Sequence, residues 1–143
     1  MNYVLDSSVV LKWYVHEVLA DKALVLKERL EKEYVAVPEF FFVESANILW
    51  KKVLLKKELS SDDAKGIYSR VRGLSFHVIK DEELLLRALD LALDYSLSVY
   101  DGLYLACMLQ SKAILVTADT VLVQRLKGSS FHEHVLHLDQ FVI

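Results

Sequence analysis

Glycine, proline and cysteine are scarce in this chain of 143 residues, which has four, one and one of them. Apolar residues make up 54% of the sequence, and this composition favours packed helices and strands over disordered tails. A single cysteine cannot form an internal disulfide, and the N-terminus lacks the basic and long apolar regions of a signal peptide. We therefore expect one ordered domain over residues 1–143, located in the cytoplasm.

Long apolar runs and a basic excess are also missing. Charged residues interrupt every apolar stretch before it reaches the roughly 20 residues that cross a bilayer, so we expect no membrane contact. The formal net charge of −3 argues against binding nucleic acid through overall basicity. The mean hydropathy of +0.28 is high for a small soluble protein, and we expect a homodimer to cover the surplus apolar surface.

Short apolar runs alternate with segments of helical periodicity along the chain. Strands are predicted at residues 3–5, 34–37, 75–79, 113–117 and 135–138. Helices are predicted at residues 9–15, 18–32, 39–57, 61–72, 81–95, 98–112 and 119–127. Pro38 is expected at the start of the third helix, where proline fits the first turn. The alternation predicts an α/β fold, with a parallel sheet covered by helices on both faces.

Three aspartates stand where either a site or a helix cap is expected. Asp6 follows the first predicted strand and Asp119 follows the fourth, and ligands of parallel sheets bind beyond the carboxyl ends of strands. Aspartate is also a preferred N-cap residue. Asp101 stands three residues after Ser98, which is the spacing of a capping box. Both interpretations stay open for each residue taken alone.

Glu44 lies in an apolar helical segment, where glutamate is seldom buried without a partner. With Asn47 and Lys51 it forms a narrow polar stripe, for which a solvated helix face is the alternative explanation. If the four carboxylates meet, their like charges raise their pKa values unless cations neutralise them. Oxygen ligands suit Mg²⁺ or Mn²⁺ rather than zinc, and two such ions promote phosphodiester hydrolysis.

Four sequence blocks resemble those of the PIN domain family, in the family's order and across nearly the whole chain. They are VLDSSV at residues 4–9, VP at 37–38 with ESANIL at 44–49, LSVYDGLYLA at 97–106, and LVTAD at 115–119. The chain is most similar to the VapC toxins of prokaryotic toxin–antitoxin pairs, which are small Mg²⁺-dependent endoribonucleases. Gly102 departs from the pattern, because many relatives have alanine there.

The resemblance implies a metal-dependent ribonuclease in a three-layer sandwich with about five parallel strands, the first and fourth side by side. It implies that the catalytic and metal-binding residues are Asp6, Glu44, Asp101 and Asp119. It assigns supporting roles to Ser7, Ser8, Asn47 and Thr117. The implied cofactor is Mg²⁺ or Mn²⁺, and the implied partners are RNA, a small antitoxin and a second copy, bound through residues 40–55 and 61–72.

Two other functions fit the same blocks: a housekeeping RNA-processing nuclease, and a catalytically silent PIN fold used as a binding module. Retention of all four acids argues against the silent module. A basic run at the end of the third helix predicts an RNA-facing patch, although a solvated helix end explains it as well. This run comprises Lys51, Lys52, Lys56 and Lys57.

Two further features are set aside. His132, His134 and His137 cluster near the C-terminus, but no cysteine accompanies them, and a closed metal site generally needs four ligands. Cys107 lies among apolar residues, where a lone cysteine is usually a small core residue.

Overall fold

The computed structural model describes residues 1–141, which form five β-strands and seven α-helices. The strands are β1 (Asn2–Leu5), β2 (Tyr34–Pro38), β3 (His77–Ile79), β4 (Ile114–Thr117) and β5 (Val135–His137). The helices are α1 (Ser7–Val10), α2 (Ala20–Arg29), α3 (Phe40–Leu54), α4 (Ser61–Arg72), α5 (Asp81–Tyr95), α6 (Val99–Ser111) and α7 (Thr120–Arg125). None of these helices has the length and apolarity that crossing a membrane requires.

All five strands are parallel and lie in the order β3-β2-β1-β4-β5. Leu5 at the end of β1 pairs in register with Val116 of β4. The residues that follow these two strands therefore meet at one edge of the sheet. The predicted parallel sheet and the predicted adjacency of the first and fourth strands are both confirmed.

Apolar side chains pack on both faces of the sheet, because successive residues of a strand point to opposite faces. Val4 and Leu115 pack with α5, α6 and α7 on one face. Leu5 and Val116 pack with α1, α2, α3 and α4 on the other. All four side chains are fully buried. Helices thus cover the sheet on both sides, which confirms the predicted three-layer arrangement.

Helices α5 and α6 approach each other closely at Gly102. A Cβ atom at this position would stand 2.4 Å from the carbonyl oxygen of Ala88, which is closer than real Cβ contacts come. The departure at Gly102 from the resembling family is therefore a packing requirement of this chain. The close approach positions Asp101 and Tyr104, which lie on the same helix.

Reciprocal hydrogen bonds tie the N-terminus of α3 to that of α5. The backbone N–H of Phe40 donates to Asp81 Oδ1 at 3.0 Å, and the backbone N–H of Asp81 donates to Glu39 Oε1 at 2.9 Å. Each carboxylate thereby satisfies an N–H group that the helix itself leaves free. The two bonds fix the start of α3, the helix that carries Glu44.

Several predicted element boundaries were wrong, including those of α2, which spans Ala20–Arg29 rather than residues 18–32, and of β3, which begins at His77 rather than residue 75. Pro38 is the last residue of β2 rather than part of the next helix, which begins at Phe40. Helix α3 ends at Leu54, before residue 57, because the backbone N–H of Glu58 donates to the carbonyl of Lys52 at 2.7 Å and turns the chain back. The helix predicted at residues 9–15 divides into α1 and a 3-10 turn at Leu11–Trp13.

Candidate acidic site

Asp6 lies directly beyond β1, with only 7% of its surface exposed. Its Oδ2 accepts a short hydrogen bond from the Thr117 hydroxyl of β4, and its Oδ1 accepts one from the Ser8 hydroxyl. Thr117 Oγ1 in turn accepts a hydrogen bond from the backbone N–H of Asp119 at 3.0 Å. The hydroxyls of Ser8 and Thr117 therefore hold the Asp6 carboxylate between two neighbouring strands and link it to the segment that carries Asp119.

Glu44 projects from α3 into a cluster of hydroxyl groups. Its Oε1 accepts a hydrogen bond from Tyr104 OH at 2.8 Å and a short one from Ser7 Oγ. The two hydroxyl oxygens lie 3.1 Å apart, and both side chains are buried. Both hydrogen bonds go to the same carboxylate oxygen, so the lone pairs of Oε2 are left for a further ligand.

Asp101 and Asp119 form the outer part of the acidic site. Asp101 lies in the first turn of α6 and is partly buried, and its backbone N–H donates to Ser98 Oγ at 3.1 Å. Asp119 is exposed at the N-terminus of α7, and its Oδ1 accepts from the backbone N–H of Leu122 at 3.1 Å. Asp119 is therefore a helix cap, but each carboxylate oxygen has a second lone pair for another ligand.

The charges of neighbouring acids influence the ionisation of Asp6 and Asp101. The pKa of Asp6 is raised to about 6, mainly by burial and also by the charge of Glu44, while hydrogen bonds from Ser8 and Thr117 oppose the shift. Burial also raises the pKa of Asp101, and the charges of Asp119 and Glu44 add to that effect. Glu44 thus couples the inner acid to the outer pair, and the cluster carries repulsive negative charge.

The donor set fits a hard divalent cation held in an open site. Within residues 1–141, no three His, Cys, Asp or Glu side chains are arranged so that they could hold a metal ion by themselves. Mg²⁺ does not need such a cage, because it usually keeps several waters and binds through one or two carboxylates. The cluster offers carboxylate oxygens, lies at the end of the sheet and lacks charge compensation at Asp6, so its chemistry suits Mg²⁺ or Mn²⁺.

Comparison with known protein families identifies this arrangement. The sequence profile of the PIN domain family matches residues 3–127, a span that includes all four acids and β1 to β4. The chain belongs to the PIN domain family. No curated protein sequence matches it.

Solved structures show the same PIN fold at low sequence identity. PAE2754 from Pyrobaculum aerophilum is 24% identical, with a TM-score of 0.65 over 97% of this chain and 85% of that chain. A toxin–antitoxin complex from Klebsiella pneumoniae is 16% identical, with a TM-score of 0.64 over 99% of both chains. FitAcB from Neisseria gonorrhoeae is 14% identical, with a TM-score of 0.61 over 97% of this chain and 99% of that chain.

The polar stripe of α3 lines an open cleft beside the acids of the PIN domain. Asn47 and Lys51 are exposed, and with Glu44 they border a cavity of about 430 Å³. Two members of the stripe are therefore in contact with solvent. Glu44 differs, because its carboxylate is half-buried and hydrogen-bonded.

Lys52 requires a correction, because its predicted contact with RNA does not fit its environment. Its side chain is buried, and its Nζ lies 2.6 Å from Glu17 Oε2 and 3.4 Å from Glu58 Oε2. The Glu17 carboxylate also lies 3.2 Å from Lys12 Nζ. An ammonium group enclosed by two carboxylates has no surface to offer a phosphate, whereas Lys51, Lys56 and Lys57 are exposed.

Sequence reasoning missed two residues of the site. Tyr104 is buried, and burial together with the charges of Glu44 and Asp6 raises its pKa well above its ordinary value, so the phenol stays a hydrogen-bond donor. The spacing i+3 from Asp101 on α6 was the available signal. Arg125 of α7 is the second, since its charge opposes the rise in the Asp101 pKa. No motif in the sequence pointed to Arg125.

The histidines and the cysteine set aside in the sequence have different surroundings within residues 1–141. His137 is buried, with its Nδ1 2.7 Å from Asp139 Oδ1, while His132 and His134 are exposed on a separate 3-10 turn. Cys107 is fully buried, and burial raises the pKa of its thiol to about 12. A thiol with so high a pKa is protonated at neutral pH and is a poor nucleophile.

Proposed function

We propose that this PIN-domain protein is a divalent-cation-dependent endoribonuclease and the toxin of a toxin–antitoxin pair. The carrying observation is the cluster of four acids beyond β1 and β4, in which the shift of the Asp6 pKa is opposed by hydroxyl and amide donors rather than by a cationic side chain. A cluster kept repulsive in this way favours a cation as its ligand. PIN domains are generally nucleases, which gives the cation a catalytic role.

Asp6, Glu44, Asp101 and Asp119 would hold Mg²⁺ or Mn²⁺, which when bound lowers the pKa of water and stabilises charge on phosphate oxygens. The chain's own hydroxyls orient these ligands. Ser7 and Tyr104 fix one oxygen of Glu44, while the hydroxyls of Ser8 and Thr117 fix both oxygens of Asp6. Because these carboxylates are already oriented, they need to move little before the phosphodiester bond is attacked.

RNA is the proposed substrate, and the surface next to the acids carries basic side chains that would bind an RNA strand. Lys51 borders the same cleft as Glu44, and Lys56 and Lys57 are exposed just beyond the end of α3. These lysines are point charges that contact phosphates without reading sequence. The protein as a whole is acidic, so such a local patch must supply the electrostatic part of RNA binding.

The proposed regulator is a small antitoxin protein that inserts a basic side chain among the acids. Arginine suits this role because its planar fork pairs with carboxylates in a bidentate way. The Klebsiella neighbour is described as a toxin–antitoxin complex, which supports the same assignment for this chain. We expect the complex with the protein encoded by the neighbouring gene to cleave RNA far more slowly than the free enzyme.

A homodimer is the proposed assembly, with its seam on α3 and α4. Trp50 and Leu54 are exposed on α3, and Trp50 lines a groove with Val53 and Tyr68. Helix α5 carries a second exposed apolar stripe, at Leu85, Leu86, Leu89 and Leu93. Trp50→Glu is expected to give monomers in sedimentation, with Leu86→Glu as the matched change on α5. If Leu86→Glu gives monomers and Trp50→Glu does not, the dimer interface lies on α5 rather than on α3 and α4.

The test of the function is incubation of the purified protein with a panel of structured and unstructured RNAs, with EDTA or Mg²⁺. We expect internal cleavage that needs Mg²⁺ or Mn²⁺ and returns when either is added after chelation. Cleavage in excess EDTA would contradict the metal site, and binding without cleavage would favour a silent binding module. Efficient processing to defined products, with no inhibitor encoded nearby, would favour a housekeeping nuclease.

A further inference from the structure

We infer that the cleft beside Glu44 binds an unstacked nucleobase of single-stranded RNA, with the ring of Tyr100 as its stacking platform. This inference rests on the proposed ribonuclease function and specifies its substrate class. It concerns the cavity of about 430 Å³ on the α3 side of the acids. Its lining residues are Phe40, Val43, Glu44, Asn47, Ile48, Lys51 and Tyr100.

Tyr100 is an exposed aromatic ring held in a fixed orientation. Its surface is 61% exposed, yet its ring lies parallel to that of Phe40, with centroids 4.8 Å apart and planes 7° apart. Phe40 therefore covers one face of the tyrosine ring. The remaining exposure leaves an aromatic surface available to a ligand, and a ring already ordered by stacking loses little freedom when a base is added.

The same stack connects the platform to the acidic site. Phe40 packs edge-on against Tyr104, with centroids 6.2 Å apart, and Tyr104 OH donates to Glu44 Oε1. Tyr100 also directly precedes Asp101 in α6. A base stacked on Tyr100 would therefore lie at a fixed position relative to Glu44 and Asp101, because packed rings and the α6 backbone connect Tyr100 to both acids. Such a fixed position is needed to align a phosphate with the acids.

The other groups of the cleft suit a nucleotide better than an apolar peptide. Asn47 is exposed and offers an amide that both donates to and accepts from a base edge. Lys51 adds a cation for a phosphate, and Glu44 leads to the proposed cation site. The volume of about 430 Å³ lies in the usual range of small-ligand clefts.

Substrate class follows from the geometry of stacking. A ring can cover the face of a base only when that base has left the stack of its own strand, as in loops and single strands. Stacking tolerates all four bases, because every base has a π face. The subsite is therefore expected to select unpaired RNA without strict sequence preference at this nucleotide.

The test measures binding of an unstructured 12-nucleotide RNA containing 2-aminopurine, whose fluorescence reports stacking. Proteins carry Asp119→Asn to prevent cleavage, Mg²⁺ is present, and the same RNA annealed to its complement is the duplex arm. Tyr100→Ala and Tyr100→Leu are expected to weaken single-strand binding about 10-fold and to reduce fluorescence quenching. Tyr100→Phe should bind within about twofold of its parent, because it retains the ring. Tyr100→Leu keeps apolar cover on Phe40 and guards against misfolding.

The matched control is Tyr34→Ala. Tyr34 is 41% exposed and packs against His77, but it lies at the start of β2, at the opposite end of the sheet from the acids. Its substitution should leave RNA binding unchanged. Equal losses in Tyr34→Ala and Tyr100→Ala would overturn the subsite, as would unchanged binding in Tyr100→Ala.

Two further outcomes separate this inference from the proposals beneath it. If Tyr100→Ala converts a dimer to monomers in sedimentation, Tyr100 is a seam residue and the subsite is overturned. If the chain without Asp119→Asn neither binds nor cleaves any RNA with Mg²⁺, the ribonuclease proposal fails and the subsite fails with it. Mg²⁺-dependent cleavage together with unchanged binding by Tyr100→Ala defeats the subsite alone.

Discussion

Helix α3 contributes to two clusters of partly buried charge, and they differ in how that charge is compensated. Lys52, at one end, is buried with its ammonium between the carboxylates of Glu17 and Glu58. Glu44, two turns earlier, faces Asp6 and Asp101, which are also acids. Opposite charges compensate each other in the first cluster, which is closed. In the second, open cluster Arg125 opposes the rise in the Asp101 pKa, but Asp6 and Glu44 keep like charges close together.

The pKa values record the same difference. At the Lys52 cluster, burial disfavours the charged forms, but the hydrogen bonds and charges of the oppositely charged partners outweigh burial. The pKa of Lys52 is therefore raised and that of Glu17 is lowered. At the acidic cluster, burial and the charge of Glu44 both raise the pKa of Asp6. A charge stabilised by its neighbours supports the fold, whereas a charge destabilised by them is a candidate for binding a ligand.

Asp6→Asn gives the largest effect expected from this comparison. The amide retains the shape of the side chain and its capacity to cap α1, where Asp6 Oδ1 accepts from the backbone N–H of Val9 at 3.3 Å. It removes one negative charge from the cluster. RNA cleavage with Mg²⁺ should fall by about two orders of magnitude or more, because cation chemistry supplies several kcal/mol of the barrier reduction. Wild-type cleavage rates would reduce Asp6 to a helix cap.

Lys52→Met tests the closed cluster. Removing the buried ammonium leaves Glu17 with Lys12 as its remaining partner and takes one partner from Glu58, so we expect a loss of about 2 kcal/mol in the free energy of unfolding. Cleavage per folded molecule should stay unchanged, since Lys52 does not reach the acids. Lys51→Met is the matched control on the exposed side of α3 and should change stability by less than about 0.5 kcal/mol. Denaturant unfolding of both variants measures the difference, and equal stabilities would remove the distinction between the clusters.

Gly102→Ala tests the support beneath the acidic cluster. The new methyl group would overlap the carbonyl of Ala88, so α6 must shift, at a cost of about 2 kcal/mol. Gly66→Ala, on α4, is the control, because a Cβ there meets nothing within 4 Å. We expect Gly66→Ala to stabilise the protein by about 1 kcal/mol through helix propensity. Thermal unfolding that showed stabilisation by both changes would refute the close approach.

Tyr104→Phe probes the positioning of Glu44. It removes a donor 2.8 Å from Glu44 Oε1 while preserving the ring that packs on Phe40. Loss of such an outer partner should weaken Mn²⁺ binding about 10-fold, as measured by titration calorimetry. Tyr95→Phe, a ring that packs against Phe131 away from the acids, is the control. Unchanged Mn²⁺ affinity in Tyr104→Phe would show that Ser7 alone holds Glu44.

The sequence predicted the helices most accurately where capping chemistry was local. Helix α4 spans Ser61–Arg72 as predicted, with the Ser60 hydroxyl as its cap, and the Ser98 cap at the start of α6 is present. The end of α3 was missed because residues 52–57 are good helix formers. The helix ends where Glu58 contacts Lys52, through a backbone hydrogen bond and an ion pair between their side chains. The spacing of apolar residues does not predict such contacts.

The candidate site was predictable to the extent that its residues follow strands or match family blocks. Adjacency of Asp6 and Asp119 follows from strand order, and the structure joins them through Thr117. The contribution of Tyr104 depends on how α6 packs against α3, and the stack of Tyr100 on Phe40 joins residues 60 positions apart. Such long-range contacts leave no mark in local spacing.

The open charge of the acidic cluster is tested most directly by unfolding wild type and Asp6→Asn from pH 5 to 8 in EDTA, then at pH 7.5 with Mg²⁺. Because the pKa of Asp6 is about 6 in the folded chain and 3.8 as the ordinary value, its stabilising contribution is full below pH 4 and is lost as pH rises through 6.

In EDTA, wild type should therefore lose stability relative to Asp6→Asn between pH 5 and 8, by an amount on the order of 1 kcal/mol. Mg²⁺ at pH 7.5 should restore much of that loss in wild type and little in the variant, because a ligand of the folded state stabilises it. Parallel pH profiles, with no response to Mg²⁺ in either protein, would contradict an uncompensated acidic cluster that holds a cation.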